Sequence, residues 1–229
     1  MFTNAASVGN KWSELQVRAH GADVVAITET WLRSEQRSID RGFAGYTGSR
    51  ADREDGRTGG GVMLLVANHY EHYAGTRIVT PNVQAIEILL NTGQGEMGIA
   101  CCYRSPSADE RENEALIGFL QHMADTNPRV LIVGDFNAPE VSWDSETAPR
   151  GTFGQQLVAL LHAKTLVQHV QQETRWREGH TPSTLDLVIT RGMNEVRQLR
   201  VEEPVGKSDH GLLRFKVNTS KQPAPDKYR

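Results

Sequence analysis

The chain has 229 residues, of which 38% are hydrophobic and 23% charged, with a formal net charge of −3 and a pI near 6.2. That length supports one sizeable core, and the acidic balance leaves no overall basic footprint, so contact with a phosphate backbone must be local or assisted by a cation. No apolar run approaches the roughly 20 residues a membrane-spanning helix needs, which argues against a membrane partner. Met1-Phe2-Thr3-Asn4 opens without the basic and apolar segments of a secretory leader, so the expected location is nuclear or cytoplasmic and not secreted.

In chain order, the apolar spacing of Trp12, Leu15 and Ala19 before Gly21 predicts a helix over 10–20. Runs rich in Val, Ile and Leu, bounded by Gly, Pro or Asn, predict buried strands over 24–28, 61–67, 83–90, 97–103, 130–134, 185–190 and 212–217. Residues 50–58 mix both charges with glycine and read as an exposed loop, and Gly59-Gly60-Gly61 as a tight entry to the strand that follows. Leu116, Ile117, Leu120 and Met123 predict a helix over 109–126. Thr152-x-x-Gln155 is a capping-box pattern opening another over 152–164. Cys101 and Cys102 are adjacent within a strand and read as reduced packing residues. A folded domain is expected over 1–217, with 218–229 as a polar, proline-bearing tail or linker. Strand runs mixed with isolated helices suggest a layered α/β arrangement of two sheets faced by helices.

Several of these strands end in polar side chains. VLIVGDFN runs into Asp135 and Asn137, ADVVAITETWL into Glu29, and MGIACCYRSP into Tyr103 and Arg104. STLDLVIT carries Asp186, and GKSDHGLLRF places Asp209 and His210 before a strand. In α/β folds, sites gather in the crevice beyond one end of the strands. Glu29, Asp135, Asn137, Asp186 and Asp209 are hard oxygen donors, suited to Mg²⁺, Mn²⁺ or Ca²⁺ and not to zinc. An imidazole beside Asp186 or Asp209 carries charge near neutral pH. A cation, a carboxylate base, an imidazolium and a phenol suit attack of water on a phosphodiester. Each residue alone has an ordinary explanation, Asp135 as a turn cap for example. Asp186 in an apolar run resists one, because an unpaired buried carboxylate is costly.

Asn4, TET with Glu29, GGGV, YRSP, GDFN, STLD and SDH occur in an order that resembles the endonuclease/exonuclease/phosphatase superfamily, and within it the apurinic-endonuclease-like domain of non-LTR retrotransposons. The resemblance runs from Asn4 to about Val217. It implies a DNase I-like, four-layer α/β sandwich, with two central mixed β-sheets flanked by helices. It also implies a Mg²⁺-dependent endonuclease, with Mn²⁺ as an alternative ion, that nicks double-stranded DNA to leave a 3′-hydroxyl priming reverse transcription. A reverse transcriptase domain, absent from this chain, is the further partner implied. Carried over by motif, Glu29 is the main metal ligand with Asn4 and Asp209 close by. Asp135 orients or deprotonates water, supported by Asn137, and His210 contacts the phosphate with Asp186 orienting it. Tyr103 is the phenol near the scissile phosphate. The DNA-contacting set is Arg104 with Thr174, Arg175, Trp176, Arg177 and Ser183, the last five in or flanking a hairpin over 175–182. The chain departs from the family in having only three residues before Asn4, and Ala6 where many members have a second polar ligand. Two other readings fit the residues: a phosphomonoesterase acting on inositol phosphates or another small molecule, and a catalytically dead DNA-binding remnant.

Overall fold

The computed structural model describes residues 1–36, 43–93 and 95–218; of the expected tail, all but Asn218 lies outside the described residues. Sheet A is built from β1 (Phe2–Asn4), β2 (Val24–Thr28), β3 (Tyr46–Ala51), β4 (Val62–Ala67), β11 (Val196–Glu202) and β12 (Leu212–Val217), in the order β11-β12-β1-β2-β4-β3. Sheet B holds β5 (His72–Val79), β6 (Val83–Asn91), β7 (Glu96–Arg104), β8 (Val130–Asp135), β9 (Val167–Gln168) and β10 (Asp186–Thr190), in the order β5-β6-β7-β8-β10-β9. Both sheets are mixed, since β1 runs parallel to β2 and β7 parallel to β8 while the other pairs are antiparallel. This is the two-sheet α/β sandwich that the motifs implied.

Strand alternation sorts the apolar side chains into three cores. Phe2, Ala26, Leu64 and Val66 of sheet A meet Ile86, Ile88, Ile99, Cys101, Leu131, Val133 and Val188 of sheet B between the sheets. The intervening residues point outward. Val25, Ile27, Met63 and Leu65 pack under α1 (Trp12–Arg18), whose Leu15 is fully buried. Cys102, Ile132, Leu187 and Ile189 pack under α2 (Glu110–Thr126) and α3 (Phe153–Ala163). Cys101 and Cys102 therefore sit on opposite faces of β7, and both are free thiols.

The helices start where the sequence provides caps. Asp109 accepts from the Glu112 amide at 2.9 Å, and Glu112 accepts from the Asp109 amide at 3.1 Å, a complete capping box on α2. On α3 the expected box is half made: Thr152 accepts from the Gln155 amide, but the Gln155 side chain takes the amide of Gly151 instead.

The expected strands are all present within two residues of their boundaries, and the helices are trimmed at their ends. Five observed strands, β1, β3, β5, β9 and β11, were not among those expected; Arg50 and Ala51, assigned to a loop, belong to β3. Phe2, on the three-residue β1, pairs with both Leu213 and Ala26 and is fully buried between the sheets. Phe2→Ala is expected to cost about 3–5 kcal/mol, read as a lower midpoint in urea denaturation with an unchanged slope.

Candidate active site

The site follows from strand direction. β1, β2, β7 and β8 all end on the same side, and β10, antiparallel to β8, begins there. Tyr103 pairs in register with Asp135, and Asp135 with Asp186, so three functional side chains stand in a row across β7, β8 and β10. Tyr103 belongs to the core between the sheets, so the row faces sheet A. There Asn4, at the end of β1, donates from Nδ2 to Asp135 Oδ2 at 2.8 Å, joining the two sheets. Its own Oδ1 accepts from the Ala6 amide at 3.0 Å.

The segment before β12 closes the group. His210 is hydrogen bonded through Nδ1 to Asp186 Oδ2 at 2.7 Å, and its Nε2 lies 3.9 Å from both Asp135 Oδ2 and Asp209 Oδ1. Ser208 Oγ donates to the Asn4 carbonyl at 2.8 Å and accepts from the His210 amide at 3.2 Å. Glu29 follows β2 with φ at +54°, and its Oε2 accepts from the Gly60 amide at 2.7 Å and from the Trp31 indole. Asn137, also left-handed at +45°, donates from its amide N–H to Asp135 Oδ1 at 3.1 Å and from Nδ2 to the Arg104 carbonyl at 2.8 Å.

Charge is crowded here. Burial pushes the Asp135 carboxyl up to about 7; the neighbouring Asp186 and Glu29 push the same way, against His210 and the Asn4 hydrogen bond. Burial alone would lower His210, but the carboxylates of Asp186 and Asp135 override it and raise the imidazole to about 9. Burial, then Glu29, pushes the Tyr103 phenol far above its usual range, so it stays protonated. Asp135, Asp186 and His210 offer ligand atoms within 4.8 Å of one another. One oxygen of Asp186 is buried without a hydrogen-bond partner. A cavity of about 460 Å³ between the sheets lies at their other end, lined by Val24, Met97, Leu131 and Phe215, and holds none of these residues.

Two expected DNA contacts need correction. Arg104 is 8% exposed and its guanidinium is consumed inside the fold: it bonds Asn113 Oδ1 at 2.6 Å and the Asn137 carbonyl at 3.0 Å, and stacks on Phe153. Arg104 fastens the turn that carries Asn137. Thr174 is fully buried, and its Oγ accepts from the amides of Leu185 and Asp186, so it sets the start of β10. The hairpin itself is present. Arg175 and Ser183 exchange backbone hydrogen bonds at its base, with Trp176 43% exposed and Arg177 exposed beyond. Arg175 is half-buried and pairs through Nε with Asp209 Oδ2 at 2.9 Å, leaving Trp176 and Arg177 as the outward groups. The residues sequence reasoning missed are connectors. Ser208 links Asn4 to His210, and its place beside Asp209-His210 was the available signal.

The model of the endonuclease–reverse transcriptase family matches residues 97–214, more than half of the chain. The chain belongs to this family. It thereby joins the endonuclease/exonuclease/phosphatase hydrolases. It is 25% identical over 222 residues to a probable RNA-directed DNA polymerase from transposon BS of Drosophila melanogaster, a match covering 96% of this chain and 24% of the relative. It is 26% identical over 195 residues to the RNA-directed DNA polymerase from mobile element jockey of Drosophila funebris, covering 85% and 20% respectively. The chain thus spans a quarter or less of the length of these relatives. Its fold is similar to the endonuclease domain of TRAS1, a telomere-specific non-LTR retrotransposon, with a TM-score of 0.73 at 16% identity over 96% of this chain and 97% of that one. Among the described residues no helix is long and apolar enough to cross a membrane.

Two outcomes follow from the geometry. Thr174→Val keeps the shape but strands two buried amides, and is expected to cost about 1–3 kcal/mol in chemical denaturation. In metal-free protein the His210 ring, followed by NMR, is expected to titrate near 9, and Asp186→Asn to bring it down. Because the folded value exceeds the ordinary 6.5, the pairing stabilises the fold fully below about 6.5 and is lost as pH rises through about 9.

Proposed function

We propose that this chain is the endonuclease portion of a retrotransposon-type protein, hydrolysing one phosphodiester of double-stranded DNA with a divalent cation, Mg²⁺ by preference. The carrying observation is the hydrogen-bonded path from Asp135 through Asn4, Ser208 and His210 to Asp186, with His210 Nε2 3.9 Å from Asp135, at the shared mouth of both sheets.

The residues fit a hard cation. Asp135, Asp186 and Asp209 crowd around one imidazole and Glu29 adds its charge near Asp135, with one Asp186 oxygen unpartnered, and excess negative charge of this kind is what a divalent ion compensates. Glu29 and Asp209, with Asn4, would hold the ion. When bound, it supplies neutralisation of charge growing on the phosphoryl oxygens. Asp135, held by donors from Asn4 and Asn137, accepts the proton of the attacking water, and its carboxyl near neutrality suits a general base. His210, kept cationic by Asp186, donates from Nε2 to a phosphoryl oxygen. The new P–O bond forms to water as the bond to the 3′ oxygen breaks, and that oxygen leaves as a 3′-hydroxyl after taking a proton. In the whole element the 3′ end would prime reverse transcription by a domain elsewhere in the polypeptide.

Supercoiled plasmid, incubated with Mg²⁺ and with EDTA, tests the reading. Nicking with Mg²⁺ alone is expected, and the Asp135→Asn and His210→Ala variants should lose about 10²–10⁴-fold in rate with an unchanged circular dichroism spectrum. Phosphate release from small phosphate esters without plasmid nicking would overturn the endonuclease in favour of a phosphomonoesterase. Trp176→Ala is expected to redistribute the cleavage positions on mapped DNA more than it slows the reaction.

A further inference from the structure

The loop after β3 is crowded with charge, and its ion pairs are selective. Asp52 pairs with Arg50 at 3.1 Å, Glu54 with Arg77 at 3.0 Å, and Asp55 with Arg57 at 2.6 Å. Each acid of the loop is committed to another arginine. Arg53 is left over: among the described residues no carboxylate lies within ion-pair distance of it. Among the described residues its hydrogen bond runs from Nη1 to the Thr58 carbonyl at 3.2 Å, and its Nε is buried without a partner.

Arg53 is held against the glycine turn that leads into β4. A Cβ on Gly60 would come within 3.1 Å of the Arg53 Cζ and Nε, and within 2.5 Å of Gln84 Oε1. A side chain there would push the guanidinium aside by a few tenths of an ångström and clash with Gln84. At Gly59, with φ at +103°, a Cβ would sit 3.2 Å from Arg53 Nη1, 3.6 Å from Glu29 Oε2 and 4.0 Å from Trp31 Nε1. The missing side chain thus leaves a hollow walled by a guanidinium, a carboxylate of the site and an indole. Arg53 is also near enough to Tyr103 for its charge to favour the phenolate, against the stronger effects of burial and Glu29. Trp31, bonded to Glu29, is 43% exposed. A cation in no ion pair, felt by Asp55 only at longer range, and an exposed ring beside a carboxylate cluster match the chemistry of a nucleic-acid strand, with phosphate for the first and sugar or base for the second.

We infer that Arg53 is a substrate-positioning residue that binds a backbone phosphate next to the reacting one, with Trp31 packing against the same strand, at a contact separate from the 175–182 hairpin. This rests on the endonuclease reading. It also gives the glycine triplet a role beyond strand entry, as the seat of Arg53.

The test uses the full chain with catalysis stopped by EDTA and a fluorescently labelled 20-base-pair DNA duplex, titrated by anisotropy at several salt concentrations. Arg53→Met is expected to bind about 10-fold more weakly, with the slope of log affinity against log salt reduced by about one charge. Arg53→Lys should keep the slope. With Mg²⁺, Arg53→Met should raise KM for nicking with kcat changed less than about two-fold. Affinity and salt slope equal to wild type would overturn the inference. So would a lowered melting temperature with an unchanged slope, which marks a purely structural arginine. If wild type nicks plasmid while Arg53→Met behaves identically, this inference alone fails; a wild type that neither binds nor nicks removes the endonuclease reading and this contact together.

Discussion

Two carboxylates, Asp135 and Asp186, face one another across adjacent antiparallel strands in a buried place, and much of the surrounding structure answers that constraint. Water cannot solvate them, so the fold must supply donors and positive charge. The imidazole of His210 spans the pair, Asn4 and the Asn137 amide donate to Asp135, and Thr174 fixes the backbone from which Asp186 projects. These partners come from β1, from the turn after β8, and from the segments before β10 and β12. No single sheet could bring them together. The two-sheet sandwich is therefore a means of assembling compensation for a charge cluster that neither half would tolerate alone.

The backbone at this mouth is shaped to the same end. Glu29, Trp31 and Asn137 all adopt left-handed conformations that cost non-glycine residues of order 1–3 kcal/mol. Each sits just beyond a strand, where the chain must turn sharply while keeping its side chain over the site. The surroundings hold the turns in place. The Gly60 amide grips Glu29, the Trp31 amide bonds the Gly60 carbonyl, and Arg104 and Asn137 clasp each other through two hydrogen bonds.

What the sequence revealed tracks burial. β2, β4, β6, β7, β8, β10 and β12 are interior strands rich in Val, Ile and Leu, and each was legible. Of the five unexpected strands, β3, β5, β9 and β11 are the four edges of the two sheets, and the fifth, the interior β1, is only three residues long. Edge strands carry polar and charged residues outward, such as Thr47, Thr76 and Arg77, or Arg197 and Arg200, so no apolar run announces them. The convergence of Glu29, Asp135, Asp186 and His210 was legible because ordered motifs mark strand ends. The destinations of Arg104 and Thr174 were not, since composition does not tell a surface cation from one folded back onto carbonyls, or a hairpin threonine from a buried acceptor. Arg53 was hidden for a related reason: in a stretch of mixed sign, only coordinates reveal which charge goes unmatched.

The Asn4–Asp135 hydrogen bond crosses from one sheet to the other, with the apolar layer of Phe2, Leu64, Ile99 and Val133 continuing beneath it. Its 2.8 Å span tolerates little sliding of one sheet over the other. On the proposed reading, in which Asp135 takes the proton of the attacking water, turnover becomes a gauge of how the sheets are aligned, and packing changes many residues away would register first as slowed chemistry, well before any loss of the folded state.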